Sequence, residues 1–160
     1  MVRPITIGDF DFIHGLYFHP QCNPFLLYEM KESVNFQAIY EDLLARDIKF
    51  IHENEGGQPI GMFKLYAHTY RSSHIGYLGG VAIHPDFAGQ GYGGKMLTEI
   101  LAFGKLKGFR RLELSTATIN TKAIHLYKKA GFQQEGIMRR YAFLETENRY
   151  LDEVLMAYLY

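Results

Sequence analysis

A glycine-rich segment near the middle of the chain constrains the fold more than any other stretch. Gly89, Gly91, Gly93 and Gly94 follow an apolar run at residues 77–83 and a short loop, and a helical pattern begins directly after them. A strand, a glycine loop and a helix in this order leave free backbone N–H groups at the helix N-terminus, where the helix dipole also favours an anion. Glycine lets the backbone approach a phosphate closely because it has no Cβ. The segment therefore predicts a binding site for a phosphate-bearing ligand.

The composition indicates one domain without net charge. The chain has 160 residues, of which 48% are hydrophobic and 15% aromatic, and this is enough to bury a substantial core. Its 17 basic residues balance its 17 acidic ones. Nucleic-acid-binding domains usually carry a marked basic excess, so we expect no nucleic-acid partner. No linker, repeat or low-complexity segment divides the sequence, and we expect a single domain over residues 1–160.

Cysteine content and hydropathy favour a cytoplasmic protein without a membrane partner. Cys22 is the only cysteine, so no internal disulfide can form, which suits a reducing compartment. No apolar run approaches the ~18 residues that a membrane helix needs, and the first residues carry no signal-peptide pattern. No cluster of cysteines and histidines has the spacing of a metal site, so we expect no bound metal.

The spacing of apolar residues predicts a mixed α/β domain. Strands are predicted where short apolar runs lie between turn residues, at 2–7, 48–53, 60–70, 77–83, 110–116, 132–141 and 150–159. Helices are predicted where apolar residues recur at helical spacing, at 10–18, between 33 and 46, from the glycine segment to Gly108, and from Asn120 to about residue 130. Asp9 is expected to cap the first helix. The resulting order, βααβββαβαββ with a hairpin at Gly56 and Gly57, predicts an antiparallel first half.

Two nucleotide-binding motifs match the glycine segment only in part. Gly89, Gly91 and Gly94 satisfy G-x-G-x-x-G with Glu113 downstream, but a loop separates them from the strand, and the hairpin breaks the parallel pattern of a dinucleotide site. The segment also satisfies G-x-x-x-x-G-K, but the next residue is Met96 rather than the Ser or Thr that would bind Mg²⁺. A turn without any ligand is a third interpretation, at a high cost in chain entropy.

The sequence around the glycine segment closely resembles the acetyl-CoA signature of the GNAT acetyltransferase superfamily. That signature is carried by Val81, Ala82, Ile83, His84 and Pro85, followed by Gly89, Gln90, Gly91, Tyr92, Gly93, Gly94, Lys95, Met96 and Leu97. The second signature of the superfamily is matched by Asn120, Ala123, Leu126, Tyr127, Gly131, Phe132 and Gly136. The closing segment, with Tyr150 and Asp152, is most similar to the branch that acetylates amino acids and other small amines.

The resemblance implies a fold, a co-substrate and a reaction. We expect a central mixed, mostly antiparallel sheet of about seven strands flanked by about four helices, as the superfamily has. Acetyl-CoA is the expected co-substrate, and the expected reaction is direct transfer of its acetyl group to the primary amine of an amino acid or small amine. Two alternatives stay open: a non-catalytic CoA-binding sensor or subunit, and a protein N-terminal acetyltransferase. A homodimer is also compatible with the resemblance.

The resemblance further implies which residues bind acetyl-CoA. The pantetheine arm would pair, like an added strand, with the backbone of Val81, Ala82 and Ile83. A bulge at Gly79 and Gly80 would open the slot for it. The pyrophosphate would be held by Gly89, Gln90, Gly91, Tyr92, Gly93 and Gly94. Ala88 stands where the family usually has Arg or Gln, so one side-chain contact is missing while the main-chain N–H groups remain.

Asn120 and Tyr127 lie seven residues apart and therefore share one helix face. By resemblance, Asn120 would hydrogen-bond the cofactor arm and Tyr127 would protonate the departing thiolate. From the residues alone, Asn120 is equally well a helix cap and Tyr127 a core tyrosine. The general base stays open: Glu113 is the first candidate, and His74, His84 and Asp86 also lie near the slot. By resemblance, Ser115 stands where some relatives have a glutamate. The loops at 20–31 and 145–150 would select the acceptor.

Overall fold

Seven strands and four α-helices make up the computed structural model, which describes residues 1–29 and 35–160. The strands are β1 (Val2–Pro4), β2 (Lys49–Glu53), β3 (Pro59–Ala67), β4 (Ile75–Ile83), β5 (Arg111–Ala117), β6 (Gln133–Leu144) and β7 (Arg149–Leu159). The helices are α1 (Phe10–Tyr17), α2 (Phe36–Ala45), α3 (Tyr92–Leu106) and α4 (Thr121–Lys129). Their order confirms the predicted order βααβββαβαββ. None of the helices in the described residues is long and apolar enough to span a membrane.

The strands form one sheet in the order β1-β2-β3-β4-β5-β7-β6. Every neighbouring pair is antiparallel except β4 and β5, so the predicted mixed, mostly antiparallel sheet is confirmed. The parallel ladder between β4 and β5 is short and joins Ile75 to Arg111 and Tyr77 to Glu113. Both strands continue beyond it without pairing to each other, which leaves a cleft in the middle of the sheet.

A hydrophobic core lies on each face of the sheet. Helices α3 and α4 cover one face, where the buried side chains include Phe63, Leu78, Leu97, Leu114 and Met156. Helices α1 and α2 cover part of the other, where they include Ile13, Leu16, Tyr40, Ile51 and Met62. Burying one such side chain contributes about 1.5–3 kcal/mol. The strands that border the cleft are therefore packed against a core on each face of the sheet.

The start of the chain differs from its prediction. Strand β1 ends at Pro4 instead of residue 7, because Thr6 opens a short 3-10 turn before α1. Asp9 does not cap α1: its carboxylate accepts the Thr6 backbone N–H at 2.8 Å and two Arg3 guanidinium bonds at 2.8 and 2.9 Å. Arg3 is the main reason that the pKa of Asp9 lies below its usual range. Asp9 thus joins β1 to the first turn instead of capping the start of α1.

The other helix ends follow the residues that mark them. The Asn35 Oδ1 accepts the Ala38 N–H at 3.3 Å and caps α2, whose predicted start near residue 33 lies outside the described residues. Gly108 follows α3 with φ +83° and Gly131 follows α4 with φ +101°. These are left-handed conformations that glycine adopts without steric cost, so both predicted ends are confirmed.

Candidate active site

A β-bulge separates the end of β4 from β5 and opens the cleft. Met62 pairs with Ala82, and Lys64 pairs with Gly79, so a step of two residues on β3 faces a step of three on β4. The extra residue lies at Gly80, whose φ of +55° is in the left-handed region. A bulge bends its strand and interrupts the ladder. The predicted bulge at Gly79 and Gly80 is therefore present.

Beyond the bulge, alternate amides of β4 point into the cleft. The His84 N–H donates to the Ile60 carbonyl of β3 at 2.8 Å. Because successive residues of a strand point their backbone groups to opposite sides, the amides of Val81 and Ile83 point away from β3. That is the side on which β4 and β5 have diverged. Ala82, which lies between them, pairs with β3.

The glycine segment forms the N-terminus of α3. Gly89 and Gly91 have φ of +76° and +83°, and Gly91 is the N-cap residue. The first backbone bond of the helix runs from the Lys95 N–H to the Gly91 carbonyl at 3.2 Å, so the N–H groups before it have no partner within the helix. A Cβ placed on Gly89, Gly91 or Gly94 would meet nothing within 4 Å. This loop exposes backbone N–H groups in the way that an anion site requires.

The other residues of the loop shape it with their side chains. The Gln90 Nε2 donates to the Asp86 carbonyl at 2.8 Å, and the Tyr92 ring packs edge-on against Phe87. A Cβ on Gly93 would lie 3.0 Å from Leu126, so this glycine lets α3 and α4 pack closely. Ala88 is exposed. A phosphate at this loop would therefore meet the backbone of the segment rather than a side chain at position 88.

Asn120 begins α4 and faces the end of β5. Its Oδ1 accepts the Ala123 N–H at 3.4 Å, and its Nδ2 donates to the Thr116 hydroxyl at 3.2 Å. The capping role that the residues alone allow is thus observed. The same bonds hold the start of α4 against the strand that borders the cleft.

Tyr127 is buried on the α4 side of the sheet, with 6% of its surface exposed. Its ring packs against Phe132 at a centroid distance of 5.9 Å. Among residues 1–29 and 35–160, no hydrogen bond uses its hydroxyl. Burial, and secondly the nearby Tyr77 phenol, raises the pKa of Tyr127, so it stays protonated at neutral pH. The Tyr127 ring is thus part of the core, while its hydroxyl makes no hydrogen bond to the described residues.

A cavity of about 570 Å³ lies on the other face of the sheet and meets the bulge. Its walls come from β3, β4, β5, the β6–β7 hairpin and residues 24–29, and they include Lys64, Tyr66, Tyr77, Gly79, Gly80, Ser115, Tyr141, Phe143 and Glu153. A larger cavity of about 890 Å³ lies between α3 and the β2–β3 hairpin, lined by His52, Lys95 and Glu99 among others. Of these two cavities, the smaller one borders the cleft.

The two loops predicted to select the acceptor meet at this cavity. The Glu29 carboxylate accepts the backbone N–H groups of Glu145 and Thr146, both at 3.2 Å. The part of the first loop after Glu29 lies outside the described residues. Lys64 contributes an ammonium group 5.5 Å from the Tyr66 ring, and burial lowers the pKa of Lys64. The cavity therefore carries groups of both signs.

Glu113, the first candidate for a general base, is paired with other side chains in the structure. The two Glu113 oxygens contact His68 Nε2 at 2.8 Å and Arg111 Nε at 3.1 Å, and Glu113 does not line the cavity. The His84 Nδ1 accepts the Asp86 N–H at 3.3 Å, which caps a short turn. Ser115, which stands where some relatives have a glutamate, lines the cavity. Glu113 is therefore held as an ion-pair partner in the sheet.

One buried residue next to the cleft has no signal in the sequence. Lys49 is 0% exposed, and its Nζ lies 3.0 Å from the Tyr17 hydroxyl and 3.3 Å from the Gly80 carbonyl oxygen. Residues 49 to 52 of β2 are all buried, so the strand is covered on both faces. Such a strand shows no alternation of polar and apolar residues, so the sequence does not indicate that a lysine within it is buried.

Comparison with known proteins agrees with this geometry. A model described as the acetyltransferase (GNAT) family matches residues 10–132. An uncharacterized N-acetyltransferase of Methanocaldococcus jannaschii is 25% identical over 142 residues, which are 86% of this chain and 62% of that protein, so this chain spans less than two thirds of its length. Spermidine N(1)-acetyltransferase of Vibrio cholerae is 26% identical over 157 residues, 94% of this chain and 87% of that protein.

The fold has a close counterpart among solved structures. The crystal structure of spermidine N-acetyltransferase from Vibrio cholerae, in complex with CoA and spermine, superposes with a TM-score of 0.85 at 24% identity. The superposition covers 99% of this chain and 94% of that one. The fold, the cleft and the family match over residues 10–132 lead to one assignment: this chain belongs to the acetyltransferase (GNAT) family.

Proposed function

We propose that the chain transfers an acetyl group from acetyl-CoA directly to the primary amine of an amino acid or small amine. The observation that carries the proposal is the cleft between β4 and β5, with the glycine loop at one end and the cavity at the bulge. A cleft of this kind lets one ligand reach through the sheet toward a second one on the opposite face. Membership of the family supplies the reaction class.

The backbone fits acetyl-CoA as co-substrate. The free N–H groups at the start of α3, next to Gly91, suit its pyrophosphate, and the open space at Gly89, Gly91 and Gly94 leaves room for close approach. The outward amides of Val81 and Ile83 suit the pantetheine arm, which would add to β4 as an extended strand does. When bound, acetyl-CoA supplies an activated acetyl group as a thioester.

The residues of the cleft would assist the transfer at two atoms. The Val81 N–H donates to the carbonyl oxygen as negative charge develops on it. The C–N bond to the amine would form as the C–S bond breaks, the leaving sulfur would take the proton of the Tyr127 hydroxyl and depart as the CoA thiol, and water would return a proton to Tyr127. Because burial raises the pKa of Tyr127, its hydroxyl carries a proton at neutral pH. The amine loses its own proton to water or to a base that we do not assign.

The cavity supports a small acceptor with both charged and apolar parts. Lys64 can pair with a carboxylate, Glu153 can pair with an ammonium group, and the rings of Tyr66, Tyr77 and Phe143 form an apolar wall. A free amino acid carries both charges. The Vibrio cholerae relative named for spermidine shows that polyamines must be compared with amino acids in the same assay.

A screen for release of the free CoA thiol tests the proposal. Acetyl-CoA is incubated with the protein and with amino acids, polyamines or short peptides, and we expect release with the first or second class. A strong preference for peptides would favour the protein N-terminal alternative. Tight binding of acetyl-CoA without release on any amine would favour the sensor alternative, to which Ala88 gives some support.

A further inference from the structure

Lys49 lies next to the cleft and is the most deeply buried lysine among the described residues. It lies on β2, and among the described residues its Nζ makes two polar contacts, with the Tyr17 hydroxyl at 3.0 Å and the Gly80 carbonyl oxygen at 3.3 Å. No carboxylate among the described residues pairs with it within 4.0 Å. Burial, and then the neighbouring Lys64, lowers the pKa of Lys49. Burying an amine without a counter-ion costs free energy, which points to a role for Lys49 at this position.

The position of Lys49 connects it to the bulge. Lys49 pairs with Lys64 across β2 and β3, and Lys64 pairs with Gly79 across β3 and β4. The Lys49 side chain therefore crosses over β3 to reach the carbonyl at the extra residue of β4. A Cβ on Gly80 would lie 3.2 Å from the Lys49 Nζ and 3.1 Å from the Tyr17 hydroxyl. The glycine leaves just the space that these two groups occupy.

The bonded carbonyl belongs to the same peptide group as the Val81 N–H. In a trans peptide the C=O and the N–H point in opposite directions, and the chain has no cis peptide bond in its described residues. Holding the Gly80 carbonyl toward α1 thus turns the Val81 N–H toward the opposite side, which is the cleft. A bulge interrupts the ladder bonds that normally fix such a peptide. Lys49 replaces one of them.

We propose that Lys49 is a positioning residue: its bond to the Gly80 carbonyl fixes the peptide between Gly80 and Val81 so that the Val81 N–H faces the thioester carbonyl. The inference rests on the proposed function, in which that N–H stabilises the developing negative charge. A donor on the amide oxygen also polarises the amide, which strengthens the N–H as a donor. Lys49 acts through Val81 and does not touch the reacting atoms.

Lys49→Met tests the proposal, because methionine keeps the length of the side chain and removes its amine. We expect kcat to fall at least about tenfold, less than the ~10²–10³ that follows when an oxyanion donor is removed outright. The Kd for acetyl-CoA should stay within about threefold, since the glycine loop is untouched. A folded variant with kcat within about threefold of wild type would overturn the inference.

Tyr17→Phe is the matched control. It removes the other partner of Lys49 and leaves the bond to Gly80 in place. We expect kcat within about threefold of wild type, with any change appearing as a lower unfolding temperature. Equal losses of kcat in Tyr17→Phe and Lys49→Met would overturn the inference, because packing around the amine would then set the rate.

A measurement on wild-type protein keeps the test open should Lys49→Met fail to fold. In ¹⁵N-labelled protein titrated with acetyl-CoA, the Val81 amide should shift together with the amides of residues 91–94. Shifts in residues 91–94 without one at Val81 would overturn the inference. Wild-type protein that releases no CoA with any amine would instead bring down the proposed function, and the titration would still decide whether Val81 faces the thioester.

Discussion

The hydroxyls of Tyr77 and Ser115 lie 3.2 Å apart and bridge β4 and β5 where the two strands separate. The last ladder pair before the cleft is Tyr77 with Glu113, so this side-chain bond takes over where the backbone pairing stops. Both residues line the cavity of about 570 Å³ at the bulge. Burial raises the pKa of Tyr77, so its hydroxyl carries a proton at neutral pH and can donate to Ser115 or accept from it. The edge of the cleft is thereby fixed before any ligand binds.

Gly91→Val should abolish binding of acetyl-CoA. Gly91 has φ +83°, and a β-branched side chain there would both strain the backbone and block approach of the pyrophosphate. Gly108→Val is a matched control, because Gly108 has the same φ of +83° at the opposite end of α3 with nothing within 4 Å. Calorimetry on both folded variants should show affinity lost in the first and kept in the second. Unchanged affinity in Gly91→Val would remove the glycine loop from the site.

Tyr127→Phe should lower kcat by roughly 10²–10⁴, which is the usual worth of a positioned general acid. The ring and its packing on Phe132 stay, so affinity for acetyl-CoA should change much less. Tyr158→Phe serves as the control, since the Tyr158 ring also packs on Phe132, at 5.7 Å, outside the cavity. Steady-state kinetics of the two variants decide the matter. A kcat within about threefold of wild type would leave Tyr127 as a core residue only.

Lys64→Met should change which acceptors are used. A lost ion pair to a carboxylate costs about 1.5–3 kcal/mol, so KM for an amino acid should rise about 10- to 100-fold. The corresponding amine without the carboxylate should be unaffected or slightly better. Lysine and the diamine that lacks its carboxylate make a suitable pair, and Lys107→Met, at the exposed end of α3, is the control. Equal changes in KM for both acceptors would show that Lys64 does not bind the carboxylate of the acceptor.

The unfolding free energy should fall in acid through Asp9. Because the hydrogen-bonded Arg3 lowers the folded pKa of Asp9 from 3.8, this carboxylate stabilises the fold above about pH 4. That contribution is lost as the pH falls through the folded pKa. Arg3→Met raises the folded pKa toward its ordinary value, so the acid-induced loss should be smaller in the variant. Urea unfolding near neutral pH and below about pH 4 gives the acid-induced fall in the free energy of unfolding for the wild-type protein and for Arg3→Met. An equal fall in the two proteins would contradict this prediction.

The order of elements and the bulge could be predicted from the sequence because both depend on local signals. Short apolar runs between turn residues mark each strand, and paired glycines mark the bulge at Gly79 and Gly80. The left-handed residues Gly91 and Gly108 likewise appear where the chain must turn into or out of α3. Nearest neighbours decide these features, so the sequence displays them.

The acceptor cavity and its charges could not be predicted, because they depend on contacts between distant segments. The Glu29 carboxylate accepts hydrogen bonds from Thr146, and no local pattern in either segment predicts this contact. Asp9 has the sequence position of a helix cap, but its carboxylate accepts hydrogen bonds from the Arg3 guanidinium. Lys49 is hidden for the same reason, since its burial is set by α1 packing over β2.

Mass spectrometry of the amine after incubation with isotopically labelled acetyl-CoA tests the central claim most directly. The account predicts an amino acid or small amine that gains one labelled acetyl group for each CoA thiol released, with wild-type protein but not with Gly91→Val. It would be contradicted if, over the whole amine panel, acetyl-CoA bound to the wild-type protein and no amine gained the label.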